Sequence, residues 1–136
     1  MTHPPESSKK PGCHILIIDD EIDFLNSLAF WFKSHGYTVD TAESGAQGLE
    51  ILKTKTPNII LLDIMMPDMD GLDTLKGIKQ IKAEVPVVLM TAFATEDRRL
   101  EAYKLGANAF LDKTVDFYKA EHLINSLVRV VTKEKP

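Results

Sequence analysis

The stretch Ile59–Gly71, IILLDIMMPDMDG, constrains this chain more than any other. Ile59, Ile60, Leu61 and Leu62 form an unbroken apolar run, half of it β-branched, which reads as a strand buried on both faces. The run ends on Asp63. An acid at the end of a buried strand carries a desolvation cost and needs a partner. In an open parallel sheet that end is also where ligands bind. Pro67, Asp68, Asp70 and Gly71 bring turn chemistry, so the chain leaves the sheet in a shaped loop. Taken alone, Asp63 could equally cap the next helix. Three other strand endings weigh against that.

His14–Ile18 reads as the first strand and runs straight into Asp19, Asp20 and Glu21. A helix is expected from about Glu21 to Ser34, with acids in its first turn and Gly36 just past its end. Tyr37–Ala42 reads as a strand and Ala46–Lys53 as a helix, with Ser44 as its cap and Thr56-Pro57 closing it. After Ile59–Leu62 a helix follows from about Leu72 to Ile81. Val87–Met90 is the fourth strand, entered through Pro86 and ending on Thr91-Ala92. A helix from about Glu96 to Leu105 stops at Gly106. Ala109–Leu111 is a short fifth strand ending on Asp112-Lys113, and the last helix runs from about Asp116 to Val131. Five strand–helix units with short connections predict an α/β fold: a doubly wound parallel sheet with helices on both faces. Asp19-Asp20, Asp63, Thr91 and Lys113 then share one edge of one sheet.

Other features narrow the function. The 136 residues suit one domain with a real core. Residues 1–12 are rich in Pro, Ser and Lys and read as a flexible N-terminal tail; residues 134–136 read as a C-terminal tail. A formal net charge of −4 gives no footprint for sequence-independent nucleic-acid binding. A lone cysteine, Cys13, rules out an intramolecular disulfide framework and favours a cytoplasmic protein. No apolar run approaches the roughly 20 residues of a membrane span, and the N-terminus lacks the apolar core of a signal peptide. No further domain is expected after the last helix, so a stand-alone domain and a piece of a longer protein both fit.

The clustered strand ends carry the chemistry. Asp19, Asp20 and Asp63 bring three negative charges to one place and require counter-charge. Lys113 supplies one positive charge; a divalent cation would bring the sum to zero. A few hard oxygen ligands with room for water favour Mg2+ over zinc. His3, His14, His35 and His122 are scattered and read as surface or core. An aspartate beside magnesium is a ligand or a phosphoryl-accepting nucleophile. Phosphoryl transfer needs positioning and charge neutralisation, which a cation, an ammonium and the Thr91 hydroxyl would supply. A passive cation site gains nothing from a nearby ammonium, so Lys113 argues for the nucleophile.

In order and spacing, ILIIDDE, LLDIMMPDMDGL, VVLMTA and AFLDK resemble the motifs of response-regulator receiver domains of two-component signalling. The resemblance covers about Cys13 to Lys133, so a receiver domain over residues 13–133 is expected. It implies a flavodoxin-like (βα)5 fold with strand order 2-1-3-4-5. It implies Asp63 as phosphoacceptor, Asp20 as direct magnesium ligand, Asp19 binding mainly through water, and the Met65 carbonyl as a further ligand. Thr91 resembles the switch hydroxyl, Phe110 the switch aromatic and Lys113 the family's lysine. The implied donor is a histidine kinase or histidine phosphotransfer protein, docking beside the first helix, where Phe30 falls on the face away from Leu25, Leu28 and Phe32. The implied output surface, for a downstream protein or a homodimer, is the fourth helix, fifth strand and fifth helix. The family also catalyses its own phosphorylation and slow dephosphorylation without being a dedicated enzyme.

One departure stands out. The family has a cis proline after the lysine, whereas Thr114 follows Lys113 here. A cis bond before a non-proline residue costs roughly 2.5–4 kcal/mol, so either the bond is cis at that cost or it is trans with a shifted loop. Two further function classes compete: a magnesium-dependent aspartyl-phosphate phosphatase and a receiver-like module that is never phosphorylated. The first wants a D-x-D pair after one strand, which Asp19-Asp20-Glu21 does not supply. The second would have lost Asp63 or the acidic pair, and neither is lost.

Overall fold

The computed structural model describes residues 13–64, 71–92, 95–114 and 116–133; side chains are described as far as residue 128. The expected loop residues Met65 to Asp70 and both tails lie outside these. The elements are β1 (His14–Ile18), α1 (Ile22–Ser34), β2 (Thr38–Ala42), α2 (Gly45–Leu52), β3 (Ile59–Asp63), α3 (Gly71–Ile81), β4 (Val87–Thr91), α4 (Glu96–Lys104), β5 (Ala109–Asp112) and α5 (Phe117–Lys133). The strands form one sheet in the order β2-β1-β3-β4-β5, every pair parallel. The order turns back at β1, which places a crevice between the β1 and β3 carboxyl ends.

Alternation along the strands divides the core. Ile15, Ile17, Ile59, Leu61, Val88 and Met90 pack with Leu25, Leu28 and Phe32 of α1 and Ala120 and Ile124 of α5. Leu16, Ile18, Ile60, Leu62, Val87 and Leu89 face Leu52 of α2, Leu75 and Ile78 of α3 and Ala102 of α4. Both faces of β1, β3 and β4 are therefore covered, which is why their sequences are unbroken apolar runs. The expected face of α1 is the buried one, and Phe30 on its other side is 73% exposed. Tyr37 ties α5 to the α1–β2 corner, its hydroxyl donating to Glu121 Oε2 at 2.7 Å.

The helix ends follow their chemistry. Ser44 Oγ caps α2 by accepting from the Gln47 N–H at 3.1 Å. Gly36 and Gly106 take φ of 96° and 109° beyond α1 and α4, a conformation that disfavours side-chain-bearing residues. Three strands run one residue longer than their apolar runs. Asp63 pairs in register with Met90, and Thr91 with Asp112, so the polar residues are the last rungs of the ladder. Hydrophobicity ended those strands too early because backbone pairing is indifferent to the side chain.

Candidate functional site

The site is built from four adjacent strand ends. The Asp19 N–H donates to the Ala42 carbonyl at 3.0 Å, extending the β1–β2 ladder, and its Oδ1 accepts from the Glu21 N–H at 2.9 Å. This local turn fixes the carboxylate and starts α1. Asp19 is fully buried, Asp63 is 2% exposed, and Asp20 is partly exposed. Among the described residues, these three carboxylates form a group in which one oxygen from each lies within 4.8 Å of the others.

Lys113 enters this cluster from the end of β5. Its N–H donates to the Thr91 carbonyl at 3.2 Å, which sets the loop against β4. Its ammonium lies 2.9 Å from Asp19 Oδ2 and 3.1 Å from Asp63 Oδ2, and also pairs with Glu21 Oε1. The side chain is only 8% exposed. The Phe24 ring forms the floor, its centroid 4.8 Å from Nζ, a cation–π distance. Among the described residues no peptide bond is cis, so the Lys113–Thr114 bond is trans. The Thr114 N–H and hydroxyl both donate to Asp112 Oδ1, at 2.9 and 2.8 Å, and close the loop without proline. The lysine still reaches Asp63.

Thr91 is 4% exposed at the end of β4, beside Asp63 through the Asp63–Met90 pairing. Phe110 is half-buried on β5, edge-on to Tyr103 of α4 at 5.6 Å between centroids. The structure thus brings Asp19, Asp20, Asp63, Thr91 and Lys113 to one sheet edge; Met65 lies outside the described residues. Sequence reasoning missed Glu21 as a partner of Lys113 and Phe24 as its platform. An acid following the acidic pair and an aromatic on the core side of α1 were visible, but their convergence on a lysine about ninety residues away was not.

The electrostatics fit a cation. Burial pushes the Asp19 carboxyl up to about 6, and the Asp63 charge adds to this against the opposing effects of Lys113 and the Glu21 N–H. For Lys113, burial works to lower the pKa, but the ion pairs with Glu21, Asp19 and Asp63 hold it above the usual lysine range. Asp19 Oδ2 is buried and accepts no hydrogen bond of good geometry; the ammonium at 2.9 Å is its charge partner. Ligands around octahedral magnesium at about 2.0–2.1 Å stand roughly 3–4 Å apart. One oxygen from each acid, within 4.8 Å of the others, suits an ion held directly by some of the three and through water by the rest.

A pH dependence follows. An acid whose folded pKa, about 6, exceeds its ordinary 3.8 binds its proton more tightly in the folded state. Its contribution to stability is therefore lost as pH rises from about 4 to about 6, to a total of about 3 kcal/mol. In metal-free buffer Asp19→Asn, which keeps an acceptor for the Glu21 N–H, is expected to stabilise the protein at pH 7 by about 1–3 kcal/mol and flatten this slope. Urea unfolding in EDTA from pH 4 to pH 8 checks both; an unchanged slope would mean Asp19 is not the titrating group.

The family model of the response regulator receiver domain matches residues 15–125. The chain is 38% identical over 123 residues to the transcriptional regulatory protein ZraR of Klebsiella oxytoca, covering 90% of this chain and 28% of that protein. It is 39% identical over 114 residues to the DNA-binding transcriptional regulator NtrC of Escherichia coli, covering 84% and 24%. The chain thus spans about a quarter of these curated relatives. A CheY-like receiver domain protein from Methanospirillum hungatei superposes with a TM-score of 0.88 at 26% identity, over 90% of this chain and 98% of that one. A receiver domain from Clostridium thermocellum superposes at 0.80 with 31% identity, over 86% and 94%. With the family match spanning most of the fold, and the acids, threonine and lysine gathered at one sheet edge, this chain belongs to the response regulator receiver domain family of two-component signalling.

Proposed function

We propose that residues 13–133 act as a phosphoacceptor domain that takes a phosphoryl group onto Asp63 in a magnesium-dependent reaction and signals through a conformational switch. The observation that carries this is Asp63 itself: an acid 2% exposed at a strand end, its Oδ2 held 3.1 Å from an ammonium, inside a carboxylate cluster. The donor is a phosphohistidine, on a histidine kinase or phosphotransfer protein. The Asp63 carboxylate attacks phosphorus, the P–N bond breaks as the O–P bond forms, and the departing imidazole keeps the electron pair and takes a proton. Asp20, Asp63 and the Met65 carbonyl would hold Mg2+ directly, with Asp19 holding it through water. An ion held there would supply positive charge to offset that on the phosphoryl oxygens. Lys113 supplies a fixed positive charge to the same oxygens, and the Thr91 hydroxyl donates a hydrogen bond to the product. The same groups serve slow hydrolysis of the acyl phosphate.

Output uses the face formed by α4, β5 and α5, toward a downstream protein or a second copy of this domain. Thr91 moving toward the phosphoryl group vacates space that the Phe110 ring occupies. The reading makes this a cytoplasmic signalling domain; no described helix is long and apolar enough to cross a membrane.

The test is Mg2+ titration by calorimetry beside transfer from a phosphorylated histidine phosphotransfer protein. Asp20→Asn should weaken Mg2+ binding and block transfer. Unchanged binding would remove Asp20 from the metal set. Transfer that proceeds equally in EDTA would remove magnesium from the reaction. A protein that turns over added acyl phosphates rapidly with Mg2+, yet accumulates no phosphorylated form, would support the phosphatase reading.

Donor docking is tested separately at Phe30, which is 73% exposed on α1. Phe30→Ala should slow transfer from the protein donor about fivefold, the effect of truncating a contributing interface aromatic, and leave the acetyl phosphate rate unchanged. Equal slowing of both rates would deny Phe30 a docking role.

A further inference from the structure

Among the helices with described side chains, α4 owes little to apolar packing. Its sequence is EDRRLEAYK, with Ala102 as its buried residue, while Leu100 and Tyr103 are exposed. Consecutive arginines attach it to the sheet in different directions. Arg98 Nη2 lies 3.5 Å from the Ile64 carbonyl, the residue after Asp63. Arg99 lies over the Phe110 ring, Cζ 4.7 Å from its centroid, and bears on Asp112 at the end of β5. One short helical segment therefore touches both the Asp63 strand end and the aromatic on the output face.

The Ile64 backbone is closely packed. Ile64 is 1% exposed, and its N–H donates to the Met90 carbonyl at 3.3 Å. A Cβ on Gly71 would fall 2.1 Å from the Ile64 Cα, so the start of α3 lies directly against this backbone. This backbone is held between β4 and the start of α3, and the Arg98 guanidinium reaches its carbonyl from α4. A 3.5 Å contact to a neutral carbonyl is at the weak limit of hydrogen bonding. Charge-assisted bonds from arginine to an anionic oxygen close to about 2.7–2.9 Å and are roughly twice as strong. A phosphoryl group on Asp63 adds about −1.5 to −2 of charge and three acceptor oxygens, one residue from the present acceptor.

We propose that Arg98 is a positioning residue that sets the place of α4 according to the charge on Asp63. It rests on the Ile64 carbonyl in the unphosphorylated domain and shifts onto the phosphoryl oxygens in the phosphorylated one. The shift tightens α4 against the site and moves Arg99 and the Phe110 ring with it. This rests on Asp63 being the phosphoacceptor. Arginine suits the task because its rigid fork of donors exchanges one acceptor for the other without losing its charge.

The experiment is amide hydrogen exchange over α4 with and without beryllofluoride and magnesium, with fluorine NMR reporting bound beryllofluoride. In the wild type, binding should raise protection of Glu96–Lys104 by at least about fivefold, within the range of ordinary coupling. Arg98→Gln removes the charge while keeping an uncharged polar side chain. It should bind beryllofluoride yet lose the α4 response, with exchange of the β1, β3 and β4 amides unchanged; Arg98→Lys should respond in part. The proposal is overturned if bound beryllofluoride protects α4 equally in the wild type and Arg98→Gln, or if it leaves α4 unchanged in the wild type. A wild type that shows no bound fluoride at all overturns the phosphoacceptor reading itself, and the fluorine signal separates that failure from the others.

Discussion

Asp63→Asn is expected to lose covalent phosphorylation by a factor of about 10³ or more, since it removes the nucleophile itself. The substitution is nearly isosteric. Its amide oxygen still accepts from Lys113, which keeps Asp19 and Glu21 as charged partners. The buried cluster also loses one of its like charges, which now helps to raise the Asp19 pKa. The fold should therefore survive with a melting temperature within a few degrees of wild type. Intact mass after acetyl phosphate treatment, paired with a thermal melt, separates lost chemistry from lost structure. A phosphorylated Asp63→Asn protein would place the acceptor elsewhere.

The second large effect belongs to Lys113→Met. Lys113 is 8% exposed and stands between two buried carboxylates, at 2.9 and 3.1 Å. Removing one partner of a buried ion pair leaves uncompensated charge and costs roughly 3–5 kcal/mol. Methionine fills the space over Phe24 and keeps the apolar stem contacts, so the loss is mainly of charge. Metal-free protein at pH 7 should lose about that much stability in urea. Added Mg2+ should recover part of it, because a divalent ion answers the same three acids. Phosphorylation by acetyl phosphate should fall about 10²-fold, comparable to losing one fixed donor at a transition state. A variant as stable as wild type in EDTA would show that the ammonium does not hold the carboxylates in place.

The fold was legible because β1, β3 and β4 advertise themselves as apolar runs that stop at a polar residue, and turn residues mark off the elements between them. The order of ten elements and the sharing of one edge by Asp19, Asp63, Thr91 and Lys113 follow from that punctuation. The strand order came instead from the family resemblance, since alternation alone does not rank strands across a sheet. The undecided peptide bond at Lys113–Thr114 needed three dimensions, because the contact that closes its loop in trans, Thr114 on Asp112, depends on where β5 ends. Glu21, Phe24 and Arg98 were illegible for the same reason: each acts on a group from another part of the chain. Local pattern reports which face a residue occupies and not what it meets there.

That the buried acid ending β3 accepts a phosphoryl group is tested by incubating the chain with acetyl phosphate and Mg2+, intact mass, and borohydride trapping to map the modified residue. A gain of one phosphoryl group is expected that requires Mg2+, is labile to base and hydroxylamine, and maps to Asp63. No mass gain, or a base-stable phosphate mapping to any other residue, would contradict it.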